Sequence, residues 1–415
     1  MASNRVQIAG LTEPVTLRRL IFADDCLPEW LLPDNGFSFP SPAGKIEPAA
    51  GQRVLATWED GTPAVAVGAG EIRYAFDPGQ VRRSLLREKY FTWHRPLTSR
   101  LPFNYQLAPG RFRLMVHQQL VRRRLAEDRS IFPHWPIEPA ADALQWLMVA
   151  AAQAARGEAI CPARPQWPEG KRAAVLFTHD LDKPKAFRHV AEYAAAEENR
   201  GIRSCWFAVG RDLPRFTPQL EDLHRRGHEI GLHGDVHDNR LPFLALAEIE
   251  RRLAPFAVPL RQLEIRGFRA PSLFTSPRLD KVLSGIFTWS SSTIDTDLGS
   301  MIATRRGATT VFPFEKDDLL EIPVTIPLDD RLLTLGYRKR TWPDLWRRKL
   351  DWLTRIGGIA VFVNHLENHL SGRAELLTLH ERLLDLCRER GDLWITTPSE
   401  LAAAWRKLTS ADEKE

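Results

Sequence analysis

The sequence predicts an α/β protein in two parts. Residues 1–150 form an N-terminal accessory α+β domain. Residues 171–408 form a mostly parallel sheet with helices between its strands, open or closed as a barrel. Three observations carry this reading. From residue 171 onward, short apolar runs alternate with helical patterns. Reactive side chains stand at the C-terminal ends of several of those runs, where chemistry collects in such folds. A Pro-rich stretch from Pro162 to Pro168 separates the two parts as a linker.

In the first part, Val54 to Trp58 and Ala64 to Gly68 are strand-like on either side of the turn Glu59-Asp60-Gly61-Thr62-Pro63, which makes a hairpin. Glu71 to Phe76 adds a third strand. Helical patterns follow over 79–89, 113–127 and 140–156; the second carries Leu114, Val116, Leu120, Val121 and Leu125 among arginines. His94, His117 and His134 are scattered and form no chemical group. In the second part, strands are expected at 173–177, 204–209, 228–232, 265–269, 286–289, 320–324, 359–363 and 393–396. Helices are expected near 185–200, 217–226, 243–254, 277–284, 343–355, 373–390 and 398–408. Right-handed crossovers then bring every strand's C-terminal end to one rim.

At 415 residues the chain can bury a substantial core. Its net charge of +5 is small for that length and mildly favours anionic substrates or partners. The basic runs Arg122-Arg123-Arg124, Arg338-Lys339-Arg340 and Arg347-Arg348-Lys349 are separated and mixed with acids. They read as solvated faces, and nucleic acid is not expected as a partner. The four cysteines form no CxxC, which excludes a zinc ribbon and suggests no disulfide framework. The N-terminus lacks the apolar core of a signal peptide and no run reaches membrane-spanning length, so a cytoplasmic protein is expected.

The chemistry centres on Phe177 to Pro184, FTHDLDKP. Asp180 and Asp182 stand where the first strand becomes a loop. Alone they would suit a turn and a helix cap. Joined to His233 and His237, spaced i, i+4 just past the 228–232 strand, they suit a metal site. Two imidazoles and one carboxylate with open positions are the donor set of a hydrolytic centre. A divalent ion there, zinc by expectation, lowers the pKa of bound water to about 7. Asp180 is then free to take a proton, and Arg269 could orient it by a bidentate pair. His365, at the end of the 359–363 strand, could protonate a leaving amine or alcohol. Of the other i, i+4 histidine pairs, His224/His228 joins a helix end to a strand start and is discounted; the third is His365/His369.

This set resembles the polysaccharide deacetylase (NodB-homology) superfamily, carbohydrate esterase family 4-like, as a divergent member. Thr178-His179-Asp180-Leu181-Asp182 stands for the first motif, with the acids spaced by one residue. The resemblance supports Asp180 as base and Asp182 as metal ligand, the exchange of roles remaining open. His233-Gly234-Asp235-Val236-His237 matches the second motif, Arg269-Ala270-Pro271 the third and Val363-Asn364-His365 the fifth. Ser272 stands where a backbone N–H helps hold the oxyanion, and Val363 would wall a small acyl pocket. The fourth motif, an Asp and a Trp near one strand, is poorly kept. Trp289 is taken into the substrate site on that basis, with Asp295 and Asp297 later, and the residue that tunes His365 is not identified. The resemblance implies a distorted parallel barrel of the (β/α)7 type. It also implies metal-dependent removal of an N- or O-acyl group from a sugar or glycoconjugate precursor. Hydrolysis of a linear or cyclic non-sugar amide, or silent carbohydrate binding, are the alternatives.

Overall fold

The computed structural model describes residues 5–6, 15–23, 26, 31, 36–41, 44–68, 70–90, 110–127, 134–161, 164–298 and 305–412. His94 and the first two residues of the Pro162–Pro168 stretch lie outside them. The chain gathers into two compact units. One is drawn from within Met1–His94, Leu125–Arg164 and Asp295–Val311, the other from within Arg95–Arg124, Pro165–Ile294 and Phe312–Glu415. Each unit is therefore assembled from separated stretches, whereas the sequence reading sets residues 1–150 and 171–408 apart across a Pro-rich linker.

The first unit is built on an antiparallel sheet in the order Arg5–Val6, Val15–Phe22, Arg53–Trp58, Pro63–Gly68, Glu71–Tyr74, with Gly36–Ser41 also paired to Val15–Phe22. The expected hairpin is present. Asp60 accepts the Thr62 N–H at 2.9 Å, and Gly61 takes the left-handed conformation that the turn requires, φ 79°. Phe22, Phe37, Phe39, Trp58 and Phe76 pack ring against ring beneath the sheet. Helix Pro78–Leu86 starts at Asp77, whose carboxylate accepts the Gln80 N–H at 2.8 Å. Helix Ala140–Ala155 buries Ala141, Leu144, Leu147 and Ala151, one stripe at helical spacing.

Residues 295–311 also belong to this unit. Asp297–Leu298 pairs antiparallel with Arg305–Arg306, and fully buried Arg306 lies 3.4 Å from Asp297 and 3.8 Å from Glu88. Asp142 accepts hydrogen bonds from the Thr310 hydroxyl at 2.5 Å and the Val311 N–H at 3.0 Å. Two-residue strands leave no period to read, which is why this stretch looks irregular in sequence.

The second unit holds a nine-stranded sheet. Its order is Phe314–Lys316, Leu319–Glu321, Trp289–Ser290, Gly267–Phe268, Glu229–Leu232, Cys205–Ala208, Ala173–Leu181, Ile359–His365, with Leu393–Ile395 also against Ala173–Leu181. Every pair is parallel except the hairpin at Phe314–Lys316. The α/β class follows the strand–helix alternation of the sequence. The strands are continuous apolar runs because both faces are covered. Leu176, Phe207, Trp289, Leu320 and Val361 pack on one face. Trp206, Ile230 and Phe268 meet helix residues Leu220, Ile249 and Leu283 on the other. Gly231 and Gly267 admit the rings of Phe207 and Trp289, since a Cβ there would sit 2.4 and 2.0 Å from ring atoms. The edge strand Ile359–His365 is reached by the 324–326 segment without a strand ladder. Thr325 Oγ1 donates to Ile359 O at 2.7 Å and accepts from Val361 N–H at 2.9 Å, and Ile326 N–H donates to Val361 O at 3.3 Å.

Asp142 supplies a check on the first unit. Asp142→Ala removes two hydrogen bonds to a buried charged acceptor and should cost about 1.5–3 kcal/mol, read as a lower urea midpoint. An unchanged midpoint would mean that the 295–311 segment is held by other contacts.

Candidate active site

Side chains alternate across a strand, so residues two apart share a face. Thr178, Asp180 and the loop residue Asp182 therefore follow Leu176 onto one side of the sheet, while His179 and Leu181 turn to the helix-covered side. Register levels the neighbouring strand ends with them. Asp180 is paired to Phe207 on one flank and His365 on the other, Ala208 to Leu232, and Leu232 to Phe268. Arg269 and His233 are the next residues along their strands. The D-x-D spacing thus turns two carboxylates toward one point.

Arg269 is completely buried. Its Nη1 donates to Asp180 Oδ1 at 2.9 Å and to Thr178 Oγ1 at 2.8 Å. Its Nη2 donates to Ser291 Oγ at 2.9 Å and its Nε to Ser291 O at 3.0 Å, while the guanidinium lies 4.1 Å above the Phe207 ring. The sequence reading expects a bidentate pair with Asp180. The structure shows a single bond instead, because Nε and Nη2 turn to Ser291 and Nη1 is shared with Thr178. Burial alone would raise the Asp180 carboxyl, but Arg269, then His233 and His365, outweigh it and hold it below the usual carboxylate range. Asp180 Oδ2 faces His365 Nε2 at 3.7 Å and His233 Nε2 at 3.9 Å.

Asp182, His233 and His237 come together as the sequence expects. His233 Nε2 lies 3.1 Å from Asp182 Oδ1 and His237 Nε2 3.4 Å from Asp182 Oδ2, all three side chains buried. His233 Nδ1–H donates to Arg269 O at 3.0 Å, which orients the ring so that Nε2 faces Asp182. Burial, then His233 and His365, push His237 down to about 4, so its imidazole is neutral and able to donate a lone pair, although Asp182 opposes the shift. Among the described residues three other acid–imidazole groups are compact enough to hold an ion: His179 with Glu197 and His380, Asp180 with Asp182 and His365, and Asp329 with Asp330 and His365. In each a key oxygen is already committed, to two imidazoles, to Arg269, or to His365 and Ser371. Only the Asp182 group keeps a mixed donor set aimed inward with a carbonyl fixing one ring. It fits a divalent cation.

The residue that orients His365 is Asp329, which sequence reasoning missed. His365 Nδ1 donates to Asp329 Oδ1 at 2.6 Å, and the His365 N–H donates to Asp329 Oδ2 at 3.0 Å. Ser371 Oγ also donates to Asp329. Burial would lower the His365 imidazole, but Asp329, then Asp330 and Asp182, raise it well above the usual histidine value. Asp329 opens the short helix Asp329–Thr334, eight residues beyond the strand Leu319–Glu321. A search confined to the residues just past Trp289 could not reach it.

The other expected residues divide. Val363 is buried on the same strand face as His365, two residues earlier. Ser272 lies in a left-handed turn, φ 55°, and its Oγ is 2.9 Å from the Asn239 side-chain amide nitrogen. Trp289 is not brought to the group. Its ring fills the core beneath Gly267, and its indole N–H donates to Ser399 Oγ at 3.0 Å. Asp295 and Asp297 lie in the segment that groups with the first unit. His369 turns to Glu367, 3.1 Å away, rather than to His365.

Behind the acids, on the helix-covered face, is a buried polar network that the sequence did not reveal. Glu197 Oε1 accepts from His179 Nε2 at 2.7 Å and His380 Nε2 at 3.0 Å, and its Oε2 accepts from Ser204 Oγ at 2.5 Å. Burial would raise this carboxyl, but His179, then His380, bring it far below the ordinary glutamate value of 4.5. Such a depressed group contributes stability that is complete above 4.5 and lost as the pH falls below it. Glu197→Gln should therefore destabilise the protein by about 1.5–3 kcal/mol near neutrality. The gap from wild type should narrow as unfolding is measured at progressively lower pH. A pH-independent gap would show that Glu197 is not ionised in the folded protein.

No family model matches the chain. Among curated proteins it is similar to a peptidoglycan deacetylase of Helicobacter pylori, 23% identical over 253 residues, 53% of this chain and 83% of that protein. Among solved structures it overlaps a Mycobacterium smegmatis protein assigned as a polysaccharide deacetylase, with 22% identity, 60% of this chain and 96% of the other, and a TM-score of 0.49. It also overlaps the Puue allantoinase, with 17% identity, 60% and 94% coverage, and a TM-score of 0.47. In the order of its motifs and in its likeness to the Helicobacter pylori protein, the chain resembles the polysaccharide deacetylase superfamily, at the low identity of a divergent member.

Proposed function

We propose that the chain is a metal-dependent hydrolase that removes an N- or O-acyl group from a carbohydrate or glycoconjugate precursor. The observation that carries this is the cation-competent trio Asp182, His233 and His237 beside a carboxylate fixed by Arg269 and an imidazole fixed by Asp329. Zinc suits two imidazoles and one carboxylate. Bound there, it would acidify water and polarise the acyl carbonyl.

The chain's own groups account for the proton movements. Arg269 occupies Asp180 Oδ1 and leaves Oδ2 to take a proton from the attacking water. Asp329 holds the Nδ1–H of His365, so Nε2–H points toward the leaving atom. As the water oxygen bonds to the acyl carbon and the carbon–nitrogen or carbon–oxygen bond breaks, His365 delivers its proton to the departing nitrogen or oxygen. A carboxylic acid and an amine or alcohol result. Low Asp180 and high His365 pKa values are the split that such a division of labour requires. In this reading the Ser272 N–H helps hold the oxyanion and Val363 walls the acyl group. Asp329 supplies what the weak fourth motif lacked and so speaks against a silent binding protein. Three of the four cysteines, Cys26, Cys205 and Cys387, are buried, and thiols kept in the core suit the cytoplasmic location that belongs to this reading.

One divalent ion per chain is expected on elemental analysis. His233→Ala/His237→Ala should remove it while the circular dichroism spectrum stays native; full metal content in that variant would place the ion elsewhere. Asp180→Asn should lower kcat by about 100- to 10,000-fold with KM little changed. His365→Ala should slow amides far more than esters with good leaving groups, which hardly need the proton. Asp329→Asn should shift the basic limb of the rate profile to lower pH, because the acid must stay protonated and loses its raised pKa. Equal losses on amides and esters, with an unmoved basic limb, would leave His365 without an acid role.

A further inference from the structure

The sequence reading gives 113–127 a helical pattern with Leu114, Val116, Leu120, Val121 and Leu125 among arginines, and the helix runs from Gly110 to Glu127. The structure divides those residues between two faces. Val121 is buried, Leu114 is half-buried, and Gln118 Nε2 donates to Leu333 O at 2.7 Å. On the opposite side Phe112, Met115, Val116 and Leu120 are between 40% and 59% exposed. They are four of the seven large hydrophobic residues exposed among the described residues, the others being Val258, Ile286 and Tyr337 on three separate segments. At 100° per residue the four fall on one arc with exposed Gln119, Arg122 and Arg123, and no carboxylate interrupts it. The whole helix carries five arginines against one acid, Glu127. At its N-terminal end Arg113 reaches Glu367 at 3.7 Å; Glu367 is also 3.3 Å from Lys183, the residue after Asp182. The exposed apolar arc therefore begins at Phe112, next to the residue that shares Glu367 with the neighbour of Asp182.

We propose that this face of the 110–127 helix docks on an anionic lipid surface and so presents the site to acyl sugars carried on lipid. The second half rests on the hydrolase reading above; the first does not. Large apolar side chains bordered by arginines are the composition of an in-plane interfacial helix, in which the apolar arc enters the acyl boundary and the guanidinium groups meet phosphates. A second copy of the chain fits less well, because symmetric pairing would set Arg122 and Arg123 among their own kind.

Sedimentation of the full chain with vesicles tests this without substrate. Binding is expected to vesicles of three parts phosphatidylcholine to one part phosphatidylglycerol, to weaken with salt, and to be about tenfold weaker or more on phosphatidylcholine alone. Met115→Glu/Leu120→Glu, at exposed positions, should lose about tenfold or more, and Arg122→Glu/Arg123→Glu should do the same while leaving the apolar residues in place. Both variants should keep wild-type turnover of a water-soluble acyl sugar, so loss of docking and failure of the hydrolase reading appear in different measurements. Wild-type protein left in the supernatant, or variants that sediment as wild type does, would overturn the proposal. So would a dimer in analytical ultracentrifugation that Met115→Glu/Leu120→Glu splits, since the face would then belong to a second copy.

Discussion

The buried guanidinium of Arg269 is the constraint on which the second unit depends. It ties Thr178 and Asp180 on one strand to Ser291 at the end of another and lies over Phe207 on a third. Its backbone joins the same knot, donating to Leu232 O and accepting from His233 Nδ1. A charge with no exposed surface is tolerable only with an ionised partner and its remaining donors satisfied. Asp180 is that partner. Removing one member of a buried pair costs about 3–5 kcal/mol, so the group proposed as the base is also held ionised by the stability of the fold.

From that knot the site separates into two electrostatic halves. On the Asp180 side the guanidinium and two imidazoles favour the charged carboxylate. On the His365 side Asp329 and Asp330 favour the charged imidazole. The two halves stand 3.7 Å apart at Asp180 Oδ2 and His365 Nε2. Burial opposes both charged forms, and in each case the neighbouring charges outweigh it. A carboxylate kept deprotonated next to an imidazole kept protonated is set by packing neighbours of opposite sign, not by solvent exposure.

The α/β class and most helices of the second unit were legible because continuous apolar strands and helical periods are long enough to count. Pro277–Ser284 is found where expected, and Trp342–Ile356 within a residue at each end. The i, i+2 acids were legible because strand spacing converts directly into a shared face, and the i, i+4 histidines because a short bent loop past the strand keeps both beside Asp182. Asp329 was not, since it reaches His365 across 36 residues and begins a six-residue helix with little pattern of its own. Trp289 misled because it was matched to the tryptophan of the poorly kept fourth motif, while Gly267 leaves room for its ring in the core. The discontinuity of the two units was also hidden. It rests on short pairs such as Asp297–Leu298 with Arg305–Arg306, and on Asp142 reaching Thr310 and Val311.

The spacing of the two acids has a consequence beyond their shared face. Adjacent carboxylates on an extended strand point to opposite sides, so one must leave the strand to meet the other. With one residue between them, Asp180 can remain in the ladder, paired to Phe207 and His365, while Asp182 turns inward from the loop beside His233. The alternation then delivers His179 to the opposite face, where it stacks on Trp206 at 4.1 Å and donates to Glu197. Glu197 in turn gathers His380 and Ser204 from other elements. The strand is thus fastened by charge on both faces at adjacent residues, Arg269 gripping Asp180 and Glu197 gripping His179. A slip of the strand by one residue would exchange the two grips and bury both charges unpaired. The THDLD segment is held in register by the polar groups that its two faces require.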